Sequence, residues 1–129
     1  MRILALAFLF SFVLVQAADN SFAGTFTGEW KSNGEGGGAY NMTLQPTGGD
    51  WKADVTFNVA GEDVKAAVKN VRINGANLEI TYTFATQGTE LAGKASGELK
   101  GSQISGTYQS LVSEGGMVID EGTWSATRK

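Results

Sequence analysis

The chain has 129 residues, of which 10 are basic and 13 acidic, and it contains neither His nor Cys. Without these two residue types it lacks the commonest general base, the thiol nucleophile and the usual zinc ligands. A net charge of −3 with no basic cluster argues against nucleic acid and anionic membrane surfaces as partners. We therefore expect a protein that is not an enzyme and that needs no metal or cofactor.

The first 17 residues, MRILALAFLFSFVLVQA, have the order of a secretory signal. Arg2 precedes an apolar stretch, and small residues, Val15 and Ala17, occupy the −3 and −1 positions of a cleavage site. The stretch is shorter than the roughly 20 residues of a membrane span. We expect cleavage after Ala17 and export to the periplasm or the extracellular medium. Residues 18–129 then form one domain that a packed core must stabilise, since it has no disulfide.

Alternation of apolar and polar residues predicts eight strands in the exported domain. In residues 22–30, FAGTFTGEW, Phe and Trp alternate with Thr and Glu, which is typical of a half-buried strand. The fourth predicted strand changes face after position 68, which indicates a bulge near Lys69 and Asn70. The other predicted strands cover residues 40–45, 51–59, 64–73, 78–84, 90–100, 104–108 and 122–127.

Eight strands joined by short turns predict an all-β, antiparallel, up-and-down barrel or a sandwich. Inward-facing glycines on the first strand and the last three favour the barrel, because strongly coiled strands need positions without side chains. An outer-membrane barrel has the same alternation with its apolar face outward. Here the polar face carries Thr, Lys, Glu and Asp, which favours an apolar interior.

The segment Phe26-Thr27-Gly28-Glu29-Trp30 resembles the calycin superfamily of lipocalins, fatty-acid-binding proteins and avidins. Members often carry Gly-x-Trp on the first strand and an Arg near the end of the last, here Arg128. Residues 104–108, ISGTY, are similar to a strand of avidins, and the layout resembles small exported bacterial barrels. The resemblance implies that Arg128 closes one barrel end on an aromatic ring. The ring that Arg128 contacts could be that of Trp30, Phe26 or Phe22. If the last strand pairs with the first so that Trp124 lies opposite Phe26, then Arg128 lies opposite Phe22.

The candidate binding residues are the inward-facing aromatics, with Phe22 and Arg128 as barrel-closing residues. The lone acids Asp50, Asp54 and Asp120 have no spacing that predicts a catalytic pair. We expect a small apolar or amphipathic ligand in the interior, as in the superfamily. The alternative is a solid-core barrel that binds a protein partner through its surface and loops, as an interaction or inhibitor-like module. The ligand-binding candidates are Phe26, Trp30, Tyr40, Trp51, Phe57, Tyr82, Phe84, Tyr108 and Trp124.

Overall fold

Nine antiparallel strands, each hydrogen-bonded to its neighbours, curve into a nearly closed up-and-down barrel in the computed structural model. The structure describes residues 22–113 and 115–129; the predicted signal, residues 1–17, lies outside them. Within these ranges no helix is both long and apolar enough to cross a membrane. The strands are β1 (Gly24–Ser32), β2 (Gly37–Thr47), β3 (Asp50–Val59), β4 (Glu62–Lys65), β5 (Ala67–Asn74), β6 (Asn77–Thr86), β7 (Thr89–Lys100), β8 (Gln103–Leu111) and β9 (Val118–Arg128).

The predicted number of eight strands is one too few, because the fourth predicted strand is divided at Ala66. Its first half, β4, pairs with β3, and its second half, β5, pairs with β6. The Ala66 N–H donates to the carbonyl oxygen of Val55 at 2.9 Å. The bend at Ala66 therefore lets one continuous segment pair with β3 at one edge of the sheet and with β6 at the other. This brings the two edges of the sheet together. The predicted bulge is confirmed, since the β5–β6 register shifts between Val68 and Asn70.

The predicted inward faces are confirmed: aromatic and aliphatic residues of every strand meet in one interior core. Two ends of the barrel are distinguished below. The mouth end carries the connections at residues 33–36, 60–61, 87–88 and 112–117. The base end carries the turns at residues 48–49, 75–76 and 101–102, together with Phe22 and Arg128.

Arg128 closes the base end on Phe26, which settles its partner among the three aromatics left open by the sequence. The guanidinium carbon lies 5.0 Å from the centre of the Phe26 ring, and Nη1 donates to the carbonyl oxygen of Ala23 at 2.7 Å. The register that pairs Trp124 with Phe26 is wrong, because Trp124 lies opposite Trp30. Arg128 therefore lies opposite Phe26 rather than Phe22, and Phe22 is buried in the core.

In this register the backbones of β1 and β9 are in close contact at Gly28. Gly28 lies opposite Ala126, and a Cβ at Gly28 would overlap the carbonyl oxygen of Ser125. Only a residue without a side chain allows the two backbones to approach so closely. Sliding β9 by four residues, into the register that pairs Trp124 with Phe26, would place Gly28 opposite Gly122 and would separate the paired tryptophans.

Replacing Gly28 by Ala is expected to lower the free energy of unfolding by about 1–3 kcal/mol, because backbone has to move to admit the methyl group. Gly34→Ala is the matched control, since a Cβ there meets only the Ser32 hydroxyl at 3.6 Å. The control should change stability by less than about 1 kcal/mol. Urea unfolding of both variants measures the difference. Equal losses would contradict the close-approach argument.

Candidate functional site

An apolar cavity of about 130 Å³ lies inside the mouth end of the barrel. Most of its wall is aromatic, and the Thr, Ser and Asp side chains in its lining supply polar groups. Phe26, Met42, Leu44, Leu78, Ile80 and Ile104 are fully buried towards the base end and do not line it. The cavity is lined by Trp30, Tyr40, Phe57, Val59, Tyr82, Phe84, Thr86, Leu91, Ala95, Tyr108, Ser110, Ile119, Asp120 and Trp124.

The structure brings most of the predicted binding residues together at this cavity. Two of them lie elsewhere: Phe26 is packed under Arg128 at the base end. Trp51 is half-buried at the start of β3, where it pairs with Pro46 near the base end. The predicted residues that do line the cavity are Trp30, Tyr40, Phe57, Tyr82, Phe84, Tyr108 and Trp124.

Trp30 is fixed across the neighbouring strand by its indole N–H, which donates to the carbonyl oxygen of Asn58 at 2.9 Å. The indole passes over Gly38 on β2, where a Cβ would overlap that carbonyl and lie 3.1 Å from the indole nitrogen. Gly38 is therefore required for the bond to form. The Trp30 ring also meets Tyr108 edge to face at 5.8 Å. Trp30 is thus held as one rigid wall of the cavity.

Trp124 is fixed in a comparable way on the other side. Its indole N–H is shared between the carbonyl oxygens of Ser96 and Thr107, each at 3.1 Å. The ring lies over Gly97, where a Cβ would come within 2.8 Å of it. Because both indole N–H groups have protein partners, the two tryptophans offer a ligand their ring surfaces rather than their polar atoms.

The remaining aromatic rings pack against each other as well as facing the cavity. Tyr40 lies 5.1 Å from Trp124, and Phe57 meets Phe84 at 5.1 Å with the planes 79° apart. These separations lie in the range that favours aromatic pairs. Mutual packing holds the rings in place, so the cavity is formed before any ligand arrives.

The hydroxyl group of Tyr40 has no hydrogen-bond partner among the described residues, although the side chain is only 4% exposed. Burial, with a smaller contribution from neighbouring Tyr82, raises the pKa of Tyr40 well above its ordinary value. Buried hydroxyl groups are nearly always paired, so an unpaired one calls for an explanation. Tyr40 lines the cavity, and its hydroxyl is a polar group that the surrounding protein leaves unused.

Asp120 holds a small hydrogen-bond network at the edge of the cavity. The Ser32 hydroxyl donates to Oδ1 at 2.6 Å, and the Tyr108 hydroxyl donates to Oδ2 at 2.9 Å. The Gly34 N–H in turn donates to the Ser32 hydroxyl at 3.0 Å. Burial and the bond to Asp120 raise the pKa of Tyr108. The network fixes a carboxylate on the inner face of β9.

Asp120 was not predicted from the sequence as a cavity residue. Its position in the alternating pattern could have indicated this, because Asp120 lies two residues before Gly122 and four before Trp124, which both face inward. Ser110 was missed for the same reason, being a buried polar residue opposite Asp120. Within the described ranges, no three His, Cys, Asp or Glu side chains lie close enough to hold a metal ion.

The β8–β9 loop and the first residues of β9, beside the mouth, expose several large apolar side chains. Met117 is 71% exposed and Ile119, which also lines the cavity, is 51% exposed. Val112 and Val118 are exposed next to them. Exposed apolar groups clustered in this way are a feature of interaction surfaces.

No protein-family model, curated protein or solved structure matches this chain. The antiparallel barrel is therefore established by the strand pairing alone.

Proposed function

We propose that this chain is an exported, calycin-like barrel that binds a small apolar or amphipathic ligand inside its mouth end. The aromatic cavity of about 130 Å³, set in a barrel whose base end is filled, carries the proposal. The signal-like residues 1–17 support export to the periplasm or the medium. Binding is favoured over catalysis because the chain has no His and no Cys.

The volume of the cavity sets the size of the ligand. An engineered apolar cavity of about 150 Å³ accommodates benzene, whereas sites for drug-sized molecules measure about 300–1,000 Å³. A single ring or a short branched alkyl group therefore fits inside. A fatty acid or retinoid is too long for the cavity and would have to extend through the mouth.

The Tyr40 hydroxyl gives such a ligand a polar anchor within the aromatic wall. A small number of convergent polar groups is what orients ligands in otherwise apolar pockets. An unpaired buried hydroxyl costs stability, and a bound ligand with a polar group could restore the missing hydrogen bond. This supports an amphipathic ligand over a purely hydrocarbon one.

Titration with toluene, followed by NMR of the three indole N–H groups, tests the proposal. The resonances of Trp30 and Trp124 should shift saturably, because both rings line the cavity. Trp51 lies near the base end and serves as an internal control that should not move. Equal shifts at all three, or none at Trp30 and Trp124, would overturn interior binding.

Filling the cavity gives an independent check. Ala95 lines it, so Ala95→Leu should abolish the saturable shifts while the barrel stays folded. Ala85→Leu, on the exposed face of the adjacent strand β6, is the control and should bind toluene as the natural chain does. Retained binding in Ala95→Leu would place the toluene site elsewhere.

The alternative function, a protein-interaction or inhibitor-like module, is favoured by the exposed apolar side chains of the β8–β9 loop and the first residues of β9. Under this alternative, Met117 and Ile119 contact the partner. The cavity is then only a packing defect and binds no ligand. It predicts no saturable shift at Trp30 or Trp124 with any single-ring compound.

A further inference from the structure

The charge of the cavity lining points to the class of ligand. Among the described residues that line the cavity, Asp120 is the only charged one, and no Lys or Arg is present. We propose that the ligand is a small organic monocation, an arylalkyl- or alkylammonium ion, with its charge at Asp120 and its apolar part among the aromatic rings. This inference rests on the proposed function and specifies its ligand.

The Asp120 carboxylate is placed to receive a cation. Each of its oxygens accepts one hydrogen bond, from Ser32 and from Tyr108, and each keeps further acceptor capacity. It forms no ion pair with a basic side chain in the described part of the chain. The two donors hold the carboxylate in position but leave its negative charge without a counterion.

The aromatic wall reinforces the same preference. Ring faces carry partial negative charge, so a cation is attracted to Trp, Tyr and Phe faces within about 6 Å of their centres. Rings of all three types line this cavity, Trp30 and Tyr108 among them.

The same features disfavour anions. A carboxylate ligand would meet Asp120 as a like charge, with no basic residue in the lining to offset the repulsion. The chain as a whole carries a net charge of −3, which adds to the effect at a distance. A free fatty acid is therefore disfavoured by its charge.

The position of Asp120 indicates how the ion is oriented. Asp120 is half-buried and is the third residue of β9, close to the mouth-end connection, so the carboxylate lies where the cavity opens. The volume behind it suits one ring. A benzylammonium ion would place its ring inside and its ammonium group at the mouth.

Three single-ring probes of different charge test the proposal on the natural chain: toluene, benzylammonium and benzoate. Calorimetry and the Trp30 and Trp124 indole resonances should show benzylammonium binding about tenfold more tightly than toluene, with no measurable binding of benzoate. If toluene binds and benzylammonium binds no better, or benzoate binds best, the cation proposal is overturned while interior binding stands. If none of the three binds, the proposed function itself fails.

A variant that removes the charge of Asp120 tests whether this residue causes the preference for benzylammonium over toluene. Asp120→Asn should reduce the affinity for benzylammonium about tenfold, to the level of the affinity for toluene. Asp54→Asn removes the same charge from an exposed position on the outer face of β3 and should keep the tenfold preference. A preference that survives in Asp120→Asn would assign the charge recognition to another group. The probe series on the natural chain decides the proposal even if Asp120→Asn does not fold.

Discussion

Raising the pH above 10 is expected to unfold the barrel cooperatively, because its tyrosines are buried in the neutral form. The chain has three tyrosines, and burial raises the pKa of Tyr82 to about 12 and that of Tyr40 further. Below pH 10 the phenols are neutral in both the folded and the unfolded chain, so their contribution to stability is intact. Between pH 10 and 12 the unfolded chain loses protons that the folded chain keeps, and stability falls.

Linkage gives the size of this loss. Each such phenol lowers the free energy of unfolding by about 1.4 kcal/mol per pH unit, so Tyr40, Tyr82 and Tyr108, whose pKa is also raised, together lower it by at most about 4 kcal/mol per pH unit. Urea unfolding at a series of pH values measures the slope, and tyrosinate absorbance should appear together with unfolding. Tyr82→Phe should remove about a third of the slope. Tyrosines that ionise near pH 10 in a barrel that stays folded would contradict the burial argument.

Phe26→Ala is expected to lower the free energy of unfolding by about 3–5 kcal/mol, the usual cost of emptying a fully buried aromatic position. Phe26 has no exposed surface, and its ring also lies beneath the Arg128 guanidinium. The substitution removes both the filling of the base end and the aromatic face that this cation contacts.

Met117→Ala is the matched control for Phe26→Ala, because it deletes an apolar side chain that is mostly exposed. Its effect on the free energy of unfolding should stay within about 0.5 kcal/mol. Chemical unfolding of the two variants in the same denaturant gives the comparison. A Phe26→Ala loss no greater than that of the control would mean that the base end is not packed as described.

Much of this fold could be predicted from alternation, because a strand with one buried face has to present its apolar residues every second position. That rule placed Tyr82 and Trp124 inside correctly. It also located the bulge between Val68 and Asn70, since a change of parity within a strand requires an extra residue. Seven of the nine predicted binding residues reach the cavity for the same reason.

Alternation does not fix how far one strand is displaced along another, since any shift by an even number of residues keeps the same faces buried. The β1–β9 register, and with it the partner of Arg128, is therefore seen only in the tertiary structure, where Gly28 lies opposite Ala126 and Trp30 opposite Trp124. The ninth strand likewise depends on the bend at Ala66, which serves closure of the barrel.

The sequence by itself determined an all-β chain with a Thr-rich outer face and an aromatic, Gly-containing interior. Only the tertiary structure decided that the base end is filled, that the mouth end keeps a cavity, and that Asp120 faces it. The physical reason is that a void depends on whether side chains from strands distant in sequence fill the space between them. Pattern along one strand shows which way a side chain points, whereas the packing of all nine strands sets what it meets.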